Sequence, residues 1–243
     1  MPSGNRKGTR NRRPARSPSD ATPNSSPEDG RGRGPKSNPN GGSGSPVLEI
    51  LVVFLAVYLL QGVAAFAGAM GGLFVLSPPL TDNPWTIVTS VYAHGGMGHL
   101  LSNSVALFLF GWPIARATSR LRFHLFFAIT GALAGISQIL LTDAVLASPL
   151  VAATGRPGVL GASGAVFALM GYLIASNRLS AGLASFVDVP RWVAITVFVV
   201  LAAAVTLATA SPGVALIAHF AGFLLGLFAG RARVLHVGGR TRS

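Results

Sequence analysis

Three groups of residues in this 243-residue chain carry side chains that could do covalent chemistry. The first is Ser163, in Gly161-Ala162-Ser163-Gly164, where a loop meets an apolar run. Glycines on either side let another backbone approach closely and leave the hydroxyl unshielded. A helix starting there would present free N–H groups, which suit a developing oxyanion. The same features describe an N-cap serine, favoured at any helix start for its unpaired donors. The second is His219, in Ala218-His219-Phe220-Ala221-Gly222, with Gly226 beyond. Gly222 and Gly226 follow it on the same helix face. The run holding Ser163 has its own small face, Gly164, Ala168, Gly171 and Ala175. Two such faces let membrane helices pack closely. That packing would bring an imidazole to a hydroxyl, the minimum for covalent acyl transfer. A buried histidine satisfied by a backbone carbonyl is the competing reading. The third group is His94, His99 and Asn103. His99 and Asn103 are one helical turn apart and both can donate hydrogen bonds, as an oxyanion site requires. Metal binding competes here, but with no cysteine and no nearby Asp or Glu a zinc ion would lack ligands. The acids are Asp20, Glu28, Asp29, Glu49, Asp82, Asp143 and Asp188, and none lies in an apolar run at the depth of Ser163. The pair therefore reads as a Ser-His dyad, its histidine oriented by packing rather than by a carboxylate.

The elements that must position these groups are membrane helices. Hydrophobic residues are 50% of the chain and charged ones 11%, against about 25% charged in soluble domains. That excludes an ordinary soluble enzyme. Six long apolar runs cover residues 48–69, 99–115, 123–142, 162–177, 192–209 and 213–230. A span needs ~20 apolar residues. Four runs fit, whereas the second and fourth are short and begin with polar residues, which points to a water-filled cavity at that depth. No repeat period is present. The fold class is all-α, a polytopic six-helix membrane bundle.

Residues 1–46 contain no Val, Ile, Leu, Phe, Tyr or Trp, and Gly, Pro, Ser and Asn fill 29 of the 46 positions. Such a segment cannot bury enough apolar surface to offset its ordering entropy, so a disordered basic tail is expected. Its basic cluster from Arg6 to Arg16 suits anionic lipid headgroups or nucleic acid, although a solvated tail that helps fix topology explains it as well. The net charge is +12, yet nine of the nineteen Lys and Arg lie in this tail and the rest sit between apolar runs, so no nucleic-acid partner is expected. Eighteen of the nineteen fall on one side of the six-run arrangement and only Arg156 on the other. The positive-inside rule then puts both termini in the cytoplasm and the loops 71–98 and 143–160 outside. Counting up from Arg178, Arg116 and Arg231 at ~1.5 Å per residue puts Ser163, Asn103 and His219 about 22, 20 and 18 Å above the cytoplasmic ends. In a hydrocarbon core ~30 Å thick, all three lie roughly 10 Å below the outer face. Ser102 and Gln138 are further polar residues inside the runs.

With these residues in place, the chain resembles the rhomboid family of intramembrane serine proteases. The resemblance rests on His94-x4-His99-x3-Asn103, Gly161-Ala162-Ser163-Gly164 and Ala218-His219-x2-Gly222-x3-Gly226, in the family's order. It implies a rhomboid-like six-helix protease domain over 47–230, between the tail 1–46 and a short basic cytoplasmic C-terminal tail 231–243. It implies Ser163 as nucleophile and His219 as base, with His99, Asn103 and the Ser163 N–H stabilising the oxyanion. The expected activity is cofactor-free cleavage of transmembrane protein substrates near the outer face of the cell membrane, within the lipid bilayer. Trp85 matches a family tryptophan in the first loop. There are two departures: Thr86 replaces the usual arginine, implying a looser first loop, and Phe167 replaces a common tyrosine, keeping a ring to stack on His219 but losing the hydroxyl. One rival is a non-catalytic rhomboid-like protein that binds membrane helices, whose mark would be loss of Ser163 or His219. A small-solute transporter would show matching broken helices in two halves, and none is found.

Overall fold

Pro46 stands at the first turn of α1 (Pro46–Phe66), where a missing N–H costs little. The computed structural model describes residues 44–147, 158–176, 190–210 and 213–236. The expected disordered tail (but for residues 44–46), Arg156 and Arg178 lie outside the described residues. So does the C-terminal tail from residue 237 onward.

After α1 the first loop folds into two short helices, α2 (Met70–Phe74) and α3 (Thr86–Tyr92). Next comes α4 (Met97–Ala115), which opens into a π-helical turn at Leu107–Gly111. Pro113 accounts for that turn: it has no N–H to offer the carbonyl four residues back, and its ring would strike it, so the helix widens just before the proline. The long α5 (Arg120–Leu146) begins at Ser119, whose hydroxyl accepts a hydrogen bond from the Arg122 N–H at 3.4 Å. Three apolar helices complete the chain: α6 (Ser163–Ser176), α7 (Arg191–Ala208) and α8 (Leu216–Arg231).

Six of the helices, α1 and α4 to α8, correspond to the six apolar runs, but the proportions differ: the second is longer than expected, and the fifth and sixth, expected to be long enough to span, are shorter. Among the described residues, α1, α4 and α5 are long and apolar enough to cross a membrane, and the apolar parts of α6, α7 and α8 are shorter. The second run had read as short, but α4 starts earlier, at Met97, and runs unbroken through its π turn. The sixth run loses its first residues to a loop in which Gly213 takes a φ of +80°. An apolar outer surface goes with these helices: Leu59, Leu121 and Leu207 are exposed although large and hydrophobic. Helices that are apolar inside and outside have lipid as their solvent.

Aromatic and aliphatic side chains of α1, α4, α5 and α6 form the main core, among them Ile50, Phe54, Leu107, Phe123, Phe127 and Leu169. A smaller cluster of Ala202, Phe223 and Leu227 joins α7 to α8. The closest pair is α6 with α8, which run parallel and touch through their backbones. A Cβ added at Gly222 would strike the Gly164 carbonyl, one at Gly226 the Ala168 carbonyl, and one at Gly230 the Tyr172 carbonyl. Contacts four residues apart on both helices make a continuous seam of small residues, the geometry by which membrane helices approach most closely.

Candidate active site

The seam fixes the level at which Ser163 and His219 meet. Ser163 is the first residue of α6 and His219 lies in the first turn of α8. Both line a cavity of about 750 Å³, together with His99, Ser102, Asn103 and Gly161. The three sequence motifs thus converge on one hollow at one end of the bundle.

Each group is held by identifiable contacts. His219 is buried, and the Phe167 ring stacks on it with centroids 4.1 Å apart and planes 19° from parallel. Its Nδ1 is buried with no hydrogen-bond partner among the described residues, so packing orients the ring. Ser163 makes no side-chain hydrogen bond among the described residues, and the first turn of α6 closes from Val166 N–H to the Ala162 carbonyl at 3.0 Å. The hydroxyl is therefore not spent as a cap. No Ser163–His219 hydrogen bond is formed among the described residues; in sites without substrate such bonds are often long and tighten only in the reacting complex.

The segment before α6 is stapled to the first loop. Leu76 and Val159 exchange two backbone hydrogen bonds of 2.9 and 2.8 Å, and Gly161 N–H donates to the Ser90 carbonyl at 2.8 Å. Gly161 has a φ of +134°, and a Cβ there would lie 2.6 Å from Cε1 and 2.9 Å from Nε2 of His99. Only glycine combines that backbone conformation with an imidazole lying against it. The Asn103 amide, buried, donates to the His99 carbonyl at 3.0 Å, which leaves its second N–H for another acceptor. The Ser102 hydroxyl donates to the same carbonyl at 3.0 Å and points no donor elsewhere.

His94 sits behind His99, their rings edge to face with centroids 5.3 Å apart, and its other side meets Phe54 at 4.7 Å. Burial first, and the neighbouring His99 second, push the His94 pKa down to about 4, so the ring is neutral at physiological pH. Among the described residues no three His, Cys, Asp or Glu side chains converge as a metal site would require.

Two glutamines contribute positions that motif reading did not assign. Gln138 of α5 accepts from the Ala218 N–H at 3.1 Å, capping the first turn of α8 next to His219. Gln61 of α1, not singled out in the sequence, accepts from the His94 N–H at 2.9 Å and donates to the His94 carbonyl at 3.1 Å. The signal available for it was an amide within an otherwise apolar span, an expensive placement that marks a partner or a function. The first loop is tied where Thr86 had implied loosening. Thr86 is buried and its hydroxyl donates to the Asn83 carbonyl at 2.6 Å, while the Trp85 indole N–H donates to the Gly72 carbonyl at 2.8 Å.

Comparison with known proteins gives one family. Residues 81–235 match the model of the Rhomboid domain. Over 162 residues, 66% of this chain and 37% of the relative, the chain is 30% identical to RHOMBOID-like protein 4 of Arabidopsis thaliana. It is 38% identical over 93 residues, 35% of this chain and 27% of the relative, to RHOMBOID-like protein 12, mitochondrial, of the same plant. The matched stretches thus span well under half the length of these relatives.

Proposed function

The chain belongs to the rhomboid family, and on that premise we propose that it is an intramembrane serine endopeptidase acting on transmembrane protein substrates. The observation that carries the reading is the opening of Ser163 and His219 into one cavity, with Phe167 stacked on the imidazole. Ser163 Oγ attacks the scissile carbonyl carbon as His219 takes the hydroxyl proton. The oxygen that becomes negative is met by the Ser163 N–H at the start of α6, by the free N–H of Asn103 and by His99. His219 then returns the proton to the leaving amine, and an acyl-enzyme remains on Ser163. Water entering the cavity gives a proton to His219 as its oxygen bonds to the acyl carbon; the C–Oγ bond then breaks and His219 passes that proton to Ser163 Oγ, which restores both residues. Donors fixed in advance where charge develops are commonly the largest catalytic contribution. No cofactor is needed at any step.

The protease domain covers 47–230, flanked by the basic tails 1–46 and 231–243, in a cell membrane with both termini cytoplasmic. Cleavage falls near the outer face. The test is covalent labelling of purified protein by a fluorophosphonate probe, read by mass spectrometry. The expected result is one adduct, on Ser163, absent from Ser163→Ala, and loss of proteolysis in that variant without loss of the folded protein. A folded native chain that takes no label would leave the non-catalytic reading, a rhomboid-like protein that binds membrane helices.

A further inference from the structure

Gln61 lies in α1, a helix that contributes no residue to the cavity, yet it holds both polar backbone groups of His94. The direction of these bonds is fixed, because a backbone N–H can only donate and a carbonyl can only accept; the amide cannot be turned round. Gln61 and His94 are both buried, so each bond is shielded from water and its loss would strand a polar group. The peptide that carries the His94 carbonyl also carries the Gly95 N–H and passes the effect onward. The Gly95 N–H donates to Nδ1 of His99 at 3.3 Å. A nitrogen that accepts carries no proton, so the neutral ring must hold its proton on Nε2. That nitrogen is on the ring edge lying against Gly161, at the cavity that Ser163 opens into.

Resting on the protease reading above, we propose that Gln61 is a positioning residue for the oxyanion site: by pinning the His94 backbone it sets the Gly95 N–H, which holds His99 in the tautomer whose Nε2–H faces the cavity. Gln61 touches no reacting atom and acts through the 94–95 segment alone. Its bonds with His94 span 33 residues of sequence, and its one other side-chain hydrogen bond among the described residues is a weak one from Nε2 to the Met70 sulfur at 3.7 Å.

The test compares native full-length chain with Gln61→Met and Gln61→Glu in detergent micelles. Each is read for kcat and KM on a transmembrane model substrate, for melting temperature, and for histidine tautomers by ¹⁵N NMR, with His99→Ala identifying the His99 signals. Methionine keeps the length of the side chain and removes both bonds. It is expected to lower kcat by about 10-fold or more, short of the ~10²–10³ for deleting a donor outright, with KM unchanged and the His99 signals moved off the Nε2–H form. A buried carboxyl stays protonated to unusually high pH, and in that form it offers His94 the same donor and acceptor as the amide. Gln61→Glu is therefore expected near native kcat at low pH, its ratio to native falling as pH rises and the donor is lost.

A Gln61→Met protein that melts earlier but keeps native kcat below its melting range and a native His99 tautomer overturns the proposal, leaving Gln61 a packing residue. If that variant fails to fold, a flat variant-to-native ratio for Gln61→Glu across a pH range in which ¹³C NMR shows the introduced carboxyl ionising overturns it instead. Absence of proteolysis in the native chain would sink the protease reading, whereas the NMR comparison would still decide what Gln61 does to His99.

Discussion

The side chains of this site are set by contacts that leave few degrees of freedom. Asn103 illustrates how. One of its amide protons is committed to the His99 carbonyl in its own helix, which holds the amide plane and aims the second proton. Asn103→Ala is expected to lower kcat by up to ~10²–10³, the loss that follows removal of one oxyanion donor, with substrate binding little changed. Turnover measured alongside melting temperature checks this, since alanine also removes the bond to His99. A folded variant with native kcat would make Asn103 structural only. His219 shows the other device: a flat aromatic partner in place of a carboxylate, with Phe167 supplying a face and no hydrogen bond.

Among the elements, the parallel pair α6 and α8 has the least tolerance. Backbone meets backbone at Gly222, Gly226 and Gly230, so one added methyl must push whole helices apart. Gly226→Ala is expected to destabilise the protein by ~1–3 kcal/mol or more, the usual range for overpacking a tight interface. It should also lower activity by shifting His219 relative to Ser163. Gly62→Ala in α1 is the control, because a Cβ there meets nothing within 4 Å and alanine is the better helix former; it should be neutral or slightly stabilising. Unfolding midpoints of the two variants against the native protein decide the matter, and equal midpoints would deny the seam its role. Gln138 adds a polar tie to the same pair, because it caps α8 from α5.

Across the whole molecule the question is where a substrate helix is cut. The 14 described residues of α6 measure about 21 Å at ~1.5 Å each, less than a hydrocarbon core of ~30 Å. On the proposed orientation, with the arginine-rich ends in the cytoplasm, Ser163 at the helix start would lie roughly 10 Å inside the outer face. A substrate helix hides its carbonyls in its own hydrogen bonds, and opening them in lipid costs several kcal/mol per unpaired group. Unwinding is expected at the cavity, whose polar lining offers the freed groups partners, and glycine or proline near the outer end of the substrate helix lowers its cost. Scission is expected within the outer third of the substrate span or just beyond it. Terminal sequencing of both fragments checks the position; cleavage at the cytoplasmic end would refute the orientation. Replacing the helix breakers by leucine should slow cleavage.

Much of this protein could be read from the chain alone. Helical hydrogen bonds close within four residues, and lipid offers no alternative partner for the backbone, so long apolar runs determine where helices lie. The small-residue faces of α6 and α8 and the polar residues Ser163, His219, His99 and Asn103 stand out against that apolar background for the same reason. What the chain alone did not reveal is set by contacts with no period in sequence. Gln61 meets His94 across 33 residues and Gln138 meets Ala218 across 80, while Leu76 pairs with Val159 outside any strand. The ring of His99 fits against Gly161 because two loops are stapled together. Such pairings depend on which buried groups folding brings within hydrogen-bond reach, and a lone amide in an apolar helix announces that it needs a partner without naming which one.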